Sequence, residues 1–182
     1  EIELQLLLAG LHRHHGVDFR DYARASLKRR VLSWMREDGL RTISGLQEKV
    51  LHDPAYEDRL IEALTVRVSA MFRDPAFYGA IREHLLPILR TYPFIRIWHA
   101  GCAGGEEVYS LAILLAEEGI YDRCRIYATD LNQAGLRVAQ AGMFPLAAMR
   151  DNSANYLRAG CRSSLSDYYV ARSDAAVFDP GL

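Results

Sequence analysis

Long hydrophobic runs are missing from this chain. No apolar stretch approaches the ~20 residues that a membrane-spanning helix needs, so no membrane insertion is expected. Cysteine is scarce: Cys102, Cys124 and Cys161 are odd in number and never form a CxxC pair. That argues against a disulfide frame or a structural zinc site and for a reducing, cytoplasmic setting. An excess of one charge is lacking as well. Lys and Arg total 22 against 23 Asp and Glu, a formal net charge of -1, so no global field points to nucleic acid or to a membrane surface. The opening "EIELQLLLAGLHRHHG" leads with an acid and offers no clear cleavage site, so it does not read as a signal peptide. His12, His14 and His15 cluster there without an evident third ligand and its supporting shell; a solvated helix end is expected, not a metal site. Repeats and low-complexity tracts are absent too. What is present, 182 residues with half of them apolar, suits one large or two small globular domains.

The first part of the chain has helical rhythm. "SLKRRVLSWMRE" puts Leu27, Val31 and Trp34 on one face, with Arg29 and Arg36 on the other. "SGLQEKVLHD" and "AYEDRLIEALTV" continue it. "DPAFYGAIREHLLPILRTYP" reads as a further helix with Pro75 in its first turn, and Pro87 predicts a kink or an early end. After Tyr92 the rhythm changes to strand ("FIRIWHA"), glycine turn, helix ("EEVYSLAILLAEEG"), strand ("RIYATD") and helix ("NQAGLRVAQAG"). This order is the signature of a doubly wound α/β sheet. A mixed, turn-rich segment follows, with a strand expected near "DYYVAR". Trp34 and Trp98 sit in apolar patterns and are expected in the core, where packing is also the expected use of Phe77 and Tyr78. From Arg20 to Glu37 the chain carries a net of four positive charges, including Arg24, Lys28, Arg29, Arg30 and Arg36. A solvated helix face and a docking surface for an acidic partner both account for it.

The turn in "HAGCAGGEEVYS" narrows the chemistry. No Lys or hydroxyl residue follows Gly105, so it is not a phosphate-cradling P-loop. Gly101, Gly104 and Gly105 miss the dinucleotide spacing, and Glu106 and Glu107 at the helix start would repel a diphosphate. The same acids suit a cofactor that is cationic and carries no phosphate, S-adenosylmethionine. Glycine lets backbone approach such a ligand, and Asp130, ending the second strand, can accept its ribose hydroxyls. Each acid also has a plainer use: Asp130 as a helix cap, Glu106 and Glu107 as first-turn acids on the helix dipole.

Three stretches resemble the chemoreceptor glutamate methyltransferases of bacterial chemotaxis, the CheR family. They are "LTVRVSAMFRDPAFY", "IRIWHAGCAGGEEVYSLAILL" and "RIYATDLNQAGLRVAQAGMF"; with "DFRDYARASLKRRV" the likeness covers residues 10 to 150. The resemblance implies an all-helical N-terminal domain with its linker motif (1–75). An incomplete doubly wound, class I methyltransferase domain would follow (76–182), with a small β-subdomain starting near 165–178. It implies S-adenosylmethionine as cofactor, S-adenosylhomocysteine as product, and glutamates of a receptor's cytoplasmic helical bundle as acceptors. Carried over, Glu107 and Asp130 hold the methionine and ribose portions, beside the backbone at Gly101. Ser69 and Arg73 fold over the cofactor, and Arg73 aims the acceptor carboxylate. The helix Arg24 to Arg36 becomes a candidate surface for the receptor bundle.

The likeness has departures. Arg67 stands where the linker motif has asparagine, and Gly104 where the loop has threonine, which removes a hydroxyl. The family's chains also extend further, which implies a fragment of a longer protein or a homodimer that completes itself. These departures favour the alternative, a non-catalytic sensor or scaffold that binds the cofactor or a receptor. A nucleic-acid methyltransferase is disfavoured, since no Pro-Pro-Tyr-type base-holding motif is present.

Overall fold

The computed structural model describes residues 1–65 and 69–182, apart from the side chain of His15. Two compact units make up the chain, Glu1–Val66 and Arg67–Leu182.

The first unit holds α1 (Ile2–His15), α2 (Arg24–Glu37), α3 (Ile43–His52) and α4 (Pro54–Leu64). Leu4, Leu7, Leu8 and Leu11 recur at helical spacing on α1 and pack with Leu27, Val31, Leu46, Val50, Leu60 and Leu64. Capping sets the boundaries. Thr42 accepts the Gly45 N–H before α3, and Asp53 accepts those of Ala55 and Tyr56 before α4, with Pro54 in the first turn. On α2 the buried third position is Met35, not Trp34. Trp34 stands half-buried at the rim, its indole N–H donating to Tyr56 Oη at 2.9 Å. A four-residue step keeps the Leu27–Val31 line, whereas a three-residue step drifts off it, and the indole N–H needs a polar partner.

The basic patch is partly used inside this unit. Arg30 donates to the Leu64 carbonyl at the end of α4, and Arg20 is bound to Asp18 at 2.6 Å. Lys28 and Arg29 remain exposed.

The second unit opens with α5 (Pro75–Ala80), a π-turn (Ile81–Leu85) and α6 (Leu86–Leu89). The irregularity expected from Pro87 is this π-turn: without an N–H, the proline cannot continue the regular ladder, and the preceding turn widens. Next come β1 (Ile95–Ala100), α7 (Glu106–Glu117), β2 (Cys124–Thr129) and α8 (Gln133–Ala141). β1 and β2 are parallel, with Ile95 opposite Cys124 and Ala100 opposite Thr129. β3 (Met143–Pro145), α9 (Met149–Arg158), β4 (Tyr169–Arg172) and β5 (Ala175–Phe178) complete the unit. The last three strands form an antiparallel sheet in the order β3-β5-β4. Trp98 is not a core residue: it is 68% exposed. Strand alternation gives the inward positions to Ile95, Ile97 and His99, and sends Arg96, Trp98 and Ala100 to the opposite face. Of the neighbours of Arg73, Tyr78 is packed in the core whereas Phe77 is exposed.

A half-buried ionic knot ties the π-turn to α7 and α9. Arg82 donates to Glu117 at 2.6 Å, to Glu118 at 3.0 Å and to the Ala159 carbonyl at 2.9 Å. Tyr156 Oη donates to the same Glu117 carboxylate, and burial raises the phenol's pKa. Cys161, beside Arg82, has its thiol pushed up to about 11 by burial. Replacing Arg82 with Ala strands the Glu117 carboxylate, which is 11% exposed. The expected loss is roughly 2–4 kcal/mol, somewhat below that of a fully enclosed pair. Chemical denaturation of the variant against the parent checks it.

Candidate functional site

The glycine turn is sewn to the end of β2. The N–H groups of Gly101 and Cys102 both donate to the Thr129 carbonyl, at 2.8 and 3.0 Å. The next N–H, that of Ala103, donates to Asp130 Oδ2 at 2.7 Å, while Asp130 Oδ1 accepts from the Asn132 N–H at 2.7 Å. Asp130 is therefore not the helix cap. That position belongs to Asn132, whose side chain accepts from the Gly135 N–H at 2.9 Å. Half-buried Asp130 keeps further lone pairs on both oxygens, because a carboxylate accepts up to about four hydrogen bonds.

Two glycines are fixed by geometry. Gly105 has φ 93°, and a Cβ there would lie 2.7 Å from Ala139 Cβ, so α7 and α8 meet at closest approach. Gly101 has φ 84°, yet a Cβ added there would meet nothing within 4 Å. Open space lies over this turn. Ala103, with φ 50°, takes the left-handed conformation without being glycine, a cost of about 1–3 kcal/mol that its three-sided anchoring holds in place.

The acids of α7 divide. Glu107 is exposed, and its Oε1 accepts from His99 Nδ1 at 3.1 Å. His99 itself is 9% exposed, and its Nε2 is buried without a hydrogen-bond partner. Glu106 turns back over the loop: a Cβ on Gly104 would lie 2.9 Å from its Oε2, an oxygen that is buried with no partner. The threonine expected at position 104 would stand against this carboxylate. Cys102 is buried, and enclosure together with the Asp130 charge raises its thiol pKa, which keeps it protonated and inert.

The linker motif holds the other candidate residues. Ser69 is half-buried, and Arg67 lies outside the described residues. Arg73 is exposed and stands between two residues in left-handed conformation, Phe72 at φ 51° and Asp74 at φ 56°. The backbone just before it is clamped. Met71 N–H donates to Asn152 Oδ1 at 3.1 Å, its carbonyl accepts from Asn155 at 3.1 Å, and Phe72 N–H donates to Ser110 Oγ at 2.9 Å. The Phe72 ring packs against Tyr78 and Tyr156.

His99 and Ser110 were not singled out by sequence reasoning. Both left a signal, as polar residues at buried phases of a strand and of an apolar helix. A cavity of about 380 Å³ beside β1 is lined by His99, Glu107, Phe77, Tyr78 and Trp98 among others. Another of about 420 Å³ lies along β2, α7 and α8.

The arrangement fits a cationic nucleoside ligand. Acids surround the loop, space is open over Gly101, and a half-buried carboxylate ends β2. No helix of the described residues is long and apolar enough to cross a membrane.

Comparison with known proteins agrees with this chemistry. Residues 67–175 match the SAM binding domain of CheR methyltransferases, and residues 2–65 match the all-alpha domain of the same enzymes. A relative named "Putative methyltransferase Cher3" from Pseudomonas putida is 46% identical over 182 residues, covering all of this chain and 67% of that protein. A "Chemotaxis protein methyltransferase" from Listeria monocytogenes is 31% identical over 140 residues, 76% of this chain and 53% of the relative. One of the same name from Salmonella typhimurium is 28% identical over 154 residues, 81% and 52% respectively. The chain thus spans two thirds of the first relative and about half of the other two. With its helical unit, its S-adenosylmethionine-binding unit and its acidic glycine turn, this chain belongs to the CheR methyltransferase family.

Proposed function

We propose that the protein of this chain transfers a methyl group from S-adenosylmethionine to glutamate carboxylates on the cytoplasmic helical bundle of a chemotaxis receptor. The observation that carries the reading is the clasp between Asp130 and the glycine turn, which sets a ribose-accepting carboxylate beside an acid-flanked opening. The names of the Listeria and Salmonella relatives support a role in chemotaxis.

In this reading Asp130 accepts the ribose hydroxyls, and Glu107, oriented by His99, balances the positive charge of the methionine portion. The open backbone at Gly101 lies along the ligand, and Ser69 and Arg73 close over it. S-adenosylmethionine, when bound, supplies a methyl already activated by its sulfonium. An acceptor glutamate, with a pKa of ~4.3, is ionised at neutral pH, so the chain needs no general base. What it must do is strip water from the carboxylate and aim it, and such positioning is worth ~7–11 kcal/mol. A guanidinium fork suits that aim, and Arg73 has both the exposure and the clamped backbone for it. The exposed Lys28 and Arg29 of α2 suit an acidic receptor surface.

A second reading, a cofactor-binding module without turnover, is favoured by one feature. Gly104 offers no hydroxyl, and Glu106 leans over its place.

Titration calorimetry with S-adenosylhomocysteine tests the shared part of both readings. Saturable binding is expected, and Asp130→Ala abolishes it while thermal unfolding stays cooperative; equal binding by parent and variant sinks both. Arg73→Ala then separates them, measured as methyl transfer to a receptor fragment. For the enzyme, turnover falls by roughly 100-fold or more, on the scale of about 3 kcal/mol for a lost charged contact. No transfer by the parent protein leaves the binding module standing.

A further inference from the structure

Ser110 lies on α7 with no exposed surface. A lone serine inside a packed helix is usually a small filler that returns its hydroxyl to the preceding turn. Ser110 does so, donating to the Glu106 carbonyl at 2.6 Å, and then does more. The same oxygen accepts the Phe72 N–H at 2.9 Å. A serine hydroxyl has one donor and two acceptor positions, so Ser110 gives its donor to one segment and an acceptor position to another.

Those partners belong to the two halves of the site. Glu106 opens α7 and precedes Glu107. Phe72 precedes Arg73 and holds φ 51°, a conformation that costs energy in any residue but glycine and persists only under restraint. Tyr78 lies on α5, just beyond Arg73, with its ring against Phe72. The N–H of Phe72 has no helical or strand partner to fall back on, and Phe72 is fully buried.

We propose that Ser110 is a positioning residue, coupling the backbone that presents Arg73 to the carboxylate-bearing start of α7, so that both halves of the cofactor site hold one spacing. This rests on the reading of Arg73 and Glu107 as cofactor-site residues. Ser110 touches neither ligand nor acceptor in this scheme. It acts through Phe72 on one side and Glu106 on the other.

The test combines amide hydrogen exchange with S-adenosylhomocysteine titration on Ser110→Ala, Ser110→Cys and a control, Ile113→Val. Ile113 is equally buried on the same helix and makes no polar contact with the site. In Ser110→Ala the Phe72 amide exchanges roughly tenfold faster or more, and ligand affinity falls by a similar factor. Ser110→Cys, which keeps the size and returns a weaker acceptor, lies between, and it carries the test alone if the alanine variant does not fold. Ile113→Val lowers the unfolding temperature but leaves the Phe72 exchange and the affinity at parental values. The proposal is overturned if Ser110→Ala keeps parental affinity, or if Ile113→Val loses as much affinity. A parent that binds, and loses binding on Asp130→Ala, isolates that failure to Ser110. A parent that does not bind removes both the coupling and the reading beneath it.

Discussion

The end of β2 organises the second unit. One carbonyl, that of Thr129, takes two consecutive loop N–H groups, and the next residue's carboxylate takes a third. A tight turn that leaves a strand exposes a row of donors, and each buried donor without a partner costs about as much as a lost hydrogen bond. Asp130 and Thr129 satisfy the row before any ligand arrives. The consequence is a loop shaped in advance by its own strand neighbour, with acceptor capacity left on the carboxylate that fixes it. Gly105 then lets α7 close on α8, and Gly135 lets α8 close on the loop, since a Cβ at 135 would lie 2.6 Å from the Ala103 carbonyl.

Polar groups do the joining here, and apolar clusters do the holding. The aromatic group of Phe72, Tyr78 and Tyr156 anchors the linker segment, and aromatic pairs of this kind add about 0.5–1.5 kcal/mol each beyond burial. A second group, Tyr109, Phe144 and Phe178, fastens the antiparallel sheet to α7. The proposed site residues thus sit on the polar rim of a strongly packed unit. Arg73 can be exposed and still well placed because the two residues before it are buried.

Much of this was legible in the sequence, and the illegible part has a physical pattern. The strand–turn–helix–strand–helix order around "HAGCAGGEE" and "IYATD" is written in glycine positions and in the change of period, and the structure follows it to within a residue or two. The cofactor was legible in the acids beside the turn, and the family in the longer stretches that resemble it. The phase of a short strand was not. "FIRIWHA" has apolar residues on both sides of the alternation, so nothing in it says that His99 points inward and Trp98 outward. On α2, Trp34 and Met35 are adjacent and both apolar, and only tertiary packing chose Met35. The strained backbone at Phe72 left no trace at all, because that segment is held by hydrogen bonds from residues far along the chain: Ser110, Asn152 and Asn155.

The outward turn of Trp98 also has an optical consequence. The chain contains two tryptophans, and they are shared evenly, Trp34 in the helical unit and Trp98 in the other. Trp34 is half-buried against Tyr56, whereas Trp98 stands in solvent with its indole N–H donating to Thr129 Oγ1 at 3.0 Å. Thr129 immediately precedes Asp130, so the fluorophore of the second unit is hydrogen-bonded to the end of the strand that holds the loop. With Trp34 changed to Phe, the remaining tryptophan emission comes from that strand end alone; with Trp98 changed, it comes from the helical unit alone. The chain therefore carries one native reporter for each unit, and the two can be watched melting separately without a single added label.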